Sequence, residues 1–219
     1  MTLLPIFLRL ENRPVLVVGA GAVALEKIRS LRAAGGRLTV VAPHAVGEVQ
    51  ALATEGALEW HPRRFAAGDL DGMFVVIAAT NDSTVNRGIY EEALRRNVLC
   101  NAVDDPPNCD FYFGSVVSRG DLQVAVSTGG KSPALAQRLR REIDGQLPED
   151  LGPWLGELGE LREEIRAEVP ASEARTRLLH ELAQRQVCGA AACPARQWAK
   201  EQVEGIQRAA AVQAAEVKA

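Results

Sequence analysis

Four short runs of aliphatic and β-branched residues restrict most strongly what this chain of 219 residues can fold into. Each run is apolar without alternation, which is typical of strands buried on both faces of a parallel sheet. Longer segments with helical spacing separate them, so each strand–helix–strand step predicts a right-handed crossover. The runs lie at residues 15–18, 38–41, 74–77 and 98–100. We therefore predict an α/β fold built on a Rossmann-type parallel sheet.

A glycine-rich segment follows the first run and precedes a helical pattern, which is the context that a dinucleotide-binding loop requires. In this G-x-G-x-x-A motif, Gly19 permits the tight turn, Gly21 lets the backbone approach a pyrophosphate, and Ala24 allows close packing of helix and strand. The pyrophosphate would lie at the helix N-terminus beside Ala22 and Val23, where free N–H groups favour an anion. We predict that these five residues bind the cofactor.

Two further segments follow predicted strands at the edge where ligands bind in open α/β sheets. The second run ends in Pro43 and His44, without the Asp or Glu that usually binds the adenosine ribose and without an arginine directly after it. NAD is therefore favoured over NADP, and His44 is either a ribose contact or an exposed loop residue. Thr80 and Asn81 follow the third run as predicted cofactor contacts, although Asp82 beside them also suits a helix N-cap.

A hairpin and a loop are predicted after the Rossmann pattern ends at residue 113. Apolar residues on both sides of Arg119, Gly120 and Asp121 predict two antiparallel strands joined by a turn. A loop then leads to Pro133, which suits the first position of a helix, with Ser132 as its N-cap.

The sequence beyond Pro148 is rich in Ala, Glu, Arg and Leu, and its large apolar residues recur on one helical face. Pro170 and Pro194 divide it into about three helices. Such a stripe is more often a core or an interface than a cofactor site. We predict three parts: a Rossmann domain at residues 1–113, a small α+β region at 114–148 and a helical domain at 149–219.

Charge and composition argue against several classes of protein. A net charge of −3 gives no support for nucleic-acid binding. No apolar run approaches the roughly 20 residues of a membrane span, and the N-terminus lacks the pattern of a secretory signal, so we expect a cytoplasmic protein. The four cysteines, Cys100, Cys109, Cys188 and Cys193, are widely spaced. Cys188 and Cys193 lack the CxxC spacing of a zinc ribbon, so this pair is expected to be ordinary small buried residues rather than a metal site or a disulfide.

Five segments carry a resemblance to a known family. They are Leu-Pro-Ile-Phe at 4–7, Val-Val-Gly-Ala-Gly-Ala-Val-Ala at 17–24, Ala-Thr-Asn-Asp at 79–82, Asn-Ala-Val-Asp-Asp-Pro at 101–106 and Ser-Thr-Gly-Gly-Lys-Ser-Pro at 127–133. In this order they resemble the precorrin-2 dehydrogenase family, the siroheme-synthase enzymes that oxidise precorrin-2 to sirohydrochlorin. The last two segments are the specific ones, and the helical tail matches much less.

The resemblance implies an enzyme with NAD⁺ as hydride acceptor and precorrin-2 as substrate, working as a homodimer paired through the region 114–148. It implies that the tetrapyrrole binds in a cleft between the Rossmann domain and the dimerisation region, and that Asp104 is the catalytic aspartate. Asp104 also follows a buried run at the carboxyl edge of the sheet, where a carboxylate can accept the proton lost with the hydride. The alternative is that Asp104 and Asp105 only form a turn.

A polycarboxylate substrate on an acidic chain requires local cations or N–H groups. Thr128 and Gly129, in a loop that opens a helix, are predicted to supply backbone donors, and Lys131 and Arg138 to supply charge. The alternative is a capped helix whose arginines face water.

Two questions about activity stay open in the sequence. Some members of the family also insert ferrous iron into sirohydrochlorin; this chain has no cluster with metal-ligand spacing, so iron would be a substrate only. The alternative functions are a different NAD-dependent dehydrogenase acting on a small substrate and an NAD-binding regulatory module without catalysis. Such a module would share the glycine loop but would not need the segments at 101–106 and 127–133.

Overall fold

The computed structural model describes residues 3–188, 190 and 193–216. The chain forms two compact units. The first comprises Met1–Phe113 and Thr128–Ser132, and the second comprises Gly114–Ser127 and Pro133–Ala219. The separation of a dimerisation region from a helical domain within the second unit stays a prediction.

The first unit is built on a five-stranded parallel sheet with the order β3-β2-β1-β4-β5. Its strands are β1 (Pro14–Val18), β2 (Arg37–Val41), β3 (Glu59–His61), β4 (Val75–Ala78) and β5 (Leu99–Ala102). This is the Rossmann order 3-2-1-4-5-6 without its last strand, and the predicted α/β class is confirmed. The sequence did not predict β3, because three residues of Glu-Trp-His at the edge of a sheet carry no apolar run.

Three helices cover the sheet: α1 (Ala22–Ala33), α2 (Gly47–Thr54) and α3 (Ser83–Arg96). Ala24, Ile28 and Leu31 form the buried face of α1 at positions i, i+4 and i+7. Val23 is 49% exposed, because Ala24 takes the inward position one residue later.

Alternate strand residues supply two separate cores. Val15 and Val17 of β1 pack with α1 in one cluster, and Leu16 and Val18 pack with Ile89 of α3 in the other. Burial of both strand faces is the reason why the runs are continuously apolar. The loops that leave the strands are thereby held at the carboxyl edge of the sheet, where the predicted site residues lie.

The second unit begins with an antiparallel hairpin, β6 (Ser115–Arg119) and β7 (Leu122–Val126), which confirms the predicted one. Four helices follow: α4 (Pro133–Gln146), α5 (Leu151–Glu168), α6 (Glu173–Leu182) and α7 (Pro194–Glu216). The last three confirm the predicted helices of the tail. Leu161 and Ile165 of α5 are buried with Leu182 of α6 and Val203 of α7, so the apolar stripe is a core. In the described part of the chain, no helix has both the length and the apolar composition of a membrane span.

Candidate functional site

The first glycine of the loop after β1 is required by the packing of the protein itself. Gly19 has a φ of 109°, in the region that side chains rarely adopt. A Cβ at this position would lie 2.2 Å from the Ala79 carbonyl oxygen at the end of β4. The N–H of Gly19 also donates to the Val41 carbonyl over 2.9 Å. Gly19 therefore joins the carboxyl ends of three neighbouring strands.

The second glycine of the loop, Gly21, is not required by packing within the protein. Gly21 is the N-cap of α1 with an ordinary φ of −83°, and it offers the helix no side-chain hydrogen bond. A Cβ there would meet nothing within 4 Å. The first N–H groups of a helix have no partner inside the helix, so α1 presents donors to this open space. Room beside free amides is what a phosphate group requires.

A cavity of about 1040 Å³ opens in front of this loop, lined by the loops that follow β1, β2, β3 and β4. Six of the nine predicted cofactor contacts line it: Gly19, Gly21, Pro43, His44, Thr80 and Asn81. Ala22 and Val23 do not line the cavity, and Ala24 is fully buried in the core. Ala24 has the packing role that the motif assigns to it.

Hydrogen bonds hold the loop after β4 in place. The Thr80 hydroxyl donates to Asn86 Oδ1 at 2.7 Å, and Asn86 Nδ2 donates back to the Thr80 carbonyl at 3.1 Å. Asp82 caps α3 by accepting the N–H groups of Thr84 and Val85 at 2.9 and 3.3 Å. Asp82 thus has the capping role left open by the sequence. Asn86 is 6% exposed, and a single Asn within a helix gave no signal of this role.

The segment after β3 adds cavity residues that the sequence did not predict, chiefly Arg64 and Phe65. They were missed because β3 was missed, although its Trp60 indole N–H donates to the Ala42 carbonyl at 3.1 Å and ties β3 to the end of β2. Arg63 is bound to Asp69 at 2.8 and 2.6 Å, and this hydrogen bonding lowers the pKa of Asp69. The ion pair anchors the segment next to Arg64.

The two aspartates after β5 have different environments. The N–H of Asp105 donates to the Ala102 carbonyl at 3.2 Å, which closes a turn with Asp104 at a φ of 59°. The Asp105 carboxylate accepts the Asn108 amide at 2.7 Å. Asp104 is exposed, and within the described residues its carboxylate has no hydrogen bond or ion pair. Asp105 therefore stabilises the turn, while Asp104 points a free carboxylate outwards. Asp104 is not part of the cavity lining.

The chain after this turn folds back along β5. The Asp110 carboxylate accepts the N–H of Cys100 at 2.9 Å, and Asn101 Nδ2 donates to the Phe111 carbonyl at 2.8 Å. These bonds cover the outer edge of β5 and fix both ends of the segment that carries Asp104.

The predicted substrate residues are divided between the two units. The Thr128 hydroxyl accepts the N–H of Ser132 at 3.1 Å, its carbonyl accepts the N–H of Lys131 at 3.1 Å, and Gly129 has a φ of 60°. This compact turn belongs to the first unit and carries an exposed Lys131. Arg138, on α4 of the second unit, is exposed and paired with Glu142 at 3.3 Å. Among the residues described, no three His, Cys, Asp or Glu side chains converge as a metal site.

Comparison with known proteins identifies the family to which this chain is related. The model of a putative NAD(P)-binding family matches residues 6–115, and the model of the sirohaem biosynthesis protein central region matches residues 119–146. Siroheme synthase 3 of Aeromonas hydrophila subsp. hydrophila is 42% identical over 182 residues, which are 83% of this chain and 39% of that protein. Siroheme synthase 1 of Cronobacter sakazakii is 49% identical over 152 residues, which are 69% of this chain and 32% of that protein. The chain thus spans less than half the length of these relatives.

A solved structure extends the likeness to most of the chain. SirC, a precorrin-2 dehydrogenase, is 27% identical and superimposes with a TM-score of 0.75 over 93% of this chain and 100% of that chain. The chain therefore belongs to the putative NAD(P)-binding family, in the group that carries the sirohaem biosynthesis central region directly after that domain.

Proposed function

We propose that this protein oxidises precorrin-2 to sirohydrochlorin with NAD⁺ as the hydride acceptor. The observation that carries the proposal is the likeness to SirC, a precorrin-2 dehydrogenase, over the whole length of that protein. The siroheme synthases support the same pathway. Because this chain spans less than half of their length, the proposal covers this one reaction and no other activity of those proteins.

The proposed cofactor site is the cavity in front of the glycine loop. The open space at Gly21 and the amides of α1 would hold the pyrophosphate, and the Thr80 loop would position the nicotinamide half. We propose NAD⁺ rather than NADP⁺ because no arginine directly follows β2. Arg64 lines the same cavity, and a contact between its guanidinium and the 2′-phosphate would favour NADP⁺ instead. Both dinucleotides should therefore be titrated.

The proposed chemistry divides a hydride and a proton between two groups. NAD⁺, when bound, accepts the hydride. The proton must go to a base near the macrocycle, and the exposed Asp104 carboxylate is the group that we assign to it. The hydrogen bond between Asp105 and Asn108 supports this role by holding the turn that presents Asp104.

Substrate recognition would use the residues around the start of α4. Precorrin-2 carries several carboxylates, and the Lys131 ammonium is exposed at the end of the Thr128 turn. The turn at Thr128 and Gly129 and the Arg138 guanidinium are the further parts of the surface that we propose for these carboxylates. Salt should weaken substrate binding, because screening reduces attraction between exposed charges.

We further propose that the chain is a homodimer paired through its hairpin. α4 packs on one face of β6 and β7, where Val117 is buried. On the opposite face Val116 is 43% exposed next to Ala125. A two-stranded sheet with one face open is marginally stable, which supports pairing at this surface. Sedimentation velocity tests this: a monomer at micromolar concentration would contradict it.

The central experiment is to incubate the pure protein with precorrin-2 and NAD⁺ and to record the visible spectrum together with NADH formation. Sirohydrochlorin and NADH should appear in equal amounts. Binding of NAD⁺ without turnover would favour the regulatory module instead. A second incubation with ferrous iron tests whether the product is also metallated, which stays a prediction, as does the cytoplasmic location.

A further inference from the structure

The two cysteines of the helical tail lie against each other at the start of α7. The N–H of Cys188 donates a hydrogen bond to the Cys193 sulfur over 3.3 Å. Both are free thiols. Cys193 is 1% exposed, whereas Cys188 is exposed to solvent. The expectation of small buried cysteines is therefore correct for Cys193 and wrong for Cys188.

The surroundings of Cys193 favour its thiolate. Cys193 directly precedes α7, and its sulfur accepts the N–H of Cys188. The polar groups around this sulfur, the backbone amide of Arg196 foremost, lower the pKa of Cys193 to about 7. The Arg196 guanidinium also bonds the Cys188 carbonyl at 3.1 Å and Glu157 at 2.7 Å, which holds the two cysteine segments together. A thiolate is the attacking group in disulfide exchange.

The other two cysteines have the opposite environment. Burial raises the pKa of Cys100 to about 12, and the nearby Asp110 and Cys109 add to the effect. Burial also raises the pKa of Cys109, whose S–H donates to the Ala102 carbonyl at 3.1 Å. Cys100 and Cys109 are therefore expected to be less reactive than the tail cysteines, and they provide an internal control within the same chain.

We propose that Cys188 and Cys193 form a reversible dithiol–disulfide site that reacts with a small disulfide such as oxidised glutathione. The Cys188 thiolate attacks one sulfur of the oxidant, and one glutathione thiolate leaves. The Cys193 thiolate then attacks the Cys188 sulfur and displaces the second glutathione. The two cysteines lose two electrons and two protons, and the oxidant takes up both to become two thiols.

The order of these steps follows from exposure. A bulky oxidant reaches the exposed Cys188 but not Cys193, which is 1% exposed. The Cys193 sulfur already lies 3.3 Å from the Cys188 backbone nitrogen, so the second thiol is at hand for the second step. The product would tie the start of α7 to the segment that follows α6. This site is separate from the proposed dehydrogenase site, and its test does not depend on that activity.

The test equilibrates the full chain with mixtures of reduced and oxidised glutathione, blocks free thiols with an alkylating agent and maps the products by mass spectrometry. We expect an intramolecular Cys188–Cys193 disulfide, with Cys100 and Cys109 alkylated only after denaturation. Reduction by excess thiol should restore all four free cysteines. No reaction at Cys188, a disulfide-linked dimer through Cys188, or a stable glutathione adduct in the unaltered protein would each overturn the proposal.

Single substitutions separate the two steps. Cys193→Ser should stop the reaction at a glutathione adduct of Cys188, because the second thiol is missing. Cys188→Ser should leave Cys193 unmodified, because the remaining sulfur is buried. Cys109→Ser is the matched control and should form the disulfide as the unaltered protein does. Circular dichroism checks the folding of each variant. An intramolecular disulfide in Cys188→Ser would show that another cysteine pairs with Cys193 and would refute the assignment.

Discussion

The carboxyl edge of the sheet in the first unit and the helical tail of the second unit use their residues differently. In the sheet, strand side chains such as Leu16 and Val17 fill two cores, while the edge presents glycines, amides and short polar groups. In the tail, Leu161 and Leu182 belong to a core of its own, and charged residues around it pair with one another. We infer that changes at the edge alter binding and catalysis, whereas apolar changes in the tail alter stability.

The largest expected effect is the loss of catalysis without loss of structure at Asp104. Asp104→Asn removes the charge but tolerates the positive φ of this position, because Asn, like Asp, is enriched in left-handed backbone. We expect kcat to fall by about 10² to 10⁴, the usual contribution of a positioned base, with NAD⁺ affinity unchanged. Parallel dehydrogenase kinetics and melting curves measure this.

Asp105→Asn is the matched control for that substitution. The side-chain amide oxygen that this substitution introduces can still accept the hydrogen bond from Asn108, so the turn should persist and kcat should change much less. A variant Asp104→Asn with full activity would contradict the assignment of the base. A larger loss in Asp105→Asn would transfer the role to Asp105.

The second expected effect separates cofactor binding from stability at the glycine loop. Gly21→Asp adds a negative charge to an open space with no backbone strain, so the fold should stay intact. Repulsion of a phosphate about 4 Å away amounts to about 1 to 4 kcal/mol near a protein surface, which is about a ten- to thousandfold loss of NAD⁺ affinity. Calorimetric titration measures it.

Gly19→Ala gives the opposite behaviour and sharpens the comparison. Its Cβ would lie 2.2 Å from the Ala79 carbonyl oxygen, so we expect a marked fall in Tm. If Gly21→Asp binds NAD⁺ with unchanged affinity, the dinucleotide lies elsewhere. If it unfolds the protein instead, Gly21 has a structural role that the open space around it does not explain.

These two glycines illustrate how much of the site could be predicted from the sequence. The loop, the four longer strands and the hairpin carry local signals, because continuous apolar runs and glycine spacing depend on burial and backbone geometry nearby. β3 and Arg64 were missed because a three-residue polar edge strand depends on its pairing with β2 rather than on its own composition. The exposure of Asp104 was likewise not predictable, because it results from a turn closed by Asp105.

A third expected effect tests the tail side of the comparison. Leu182→Ala removes a side chain that is fully buried, and such truncations lower the free energy of unfolding by about 2 to 5 kcal/mol. Fluorescence of Trp154 and Trp198, which pack against this core, reports unfolding of the tail in urea. NAD⁺ affinity should be unchanged.

The matched control is Leu94→Ala on α3, which is 61% exposed and should be nearly neutral. A loss of NAD⁺ affinity in Leu182→Ala would break the separation between the two regions.

The smallest expected effect concerns the ion pair that anchors the segment after β3. Its hydrogen bond to Arg63 lowers the pKa of Asp69 below the ordinary value of 3.8, so the folded protein binds its proton less tightly than the unfolded chain. The stabilisation is therefore complete above that ordinary value and is lost as the pH falls through the lower pKa of the folded state. The Arg63 side chain of this pair is 46% exposed, and ion pairs open to solvent contribute little, so Asp69→Asn should lower the Tm by roughly 2 °C or less at pH 7, and this difference should vanish in strong acid. Asp121→Asn, in the exposed hairpin turn, is the control and should show no such pH dependence. A Tm difference between the unaltered protein and Asp69→Asn that stays constant down to strong acid would mean that side-chain packing at this position, and not the carboxylate charge, stabilises the segment.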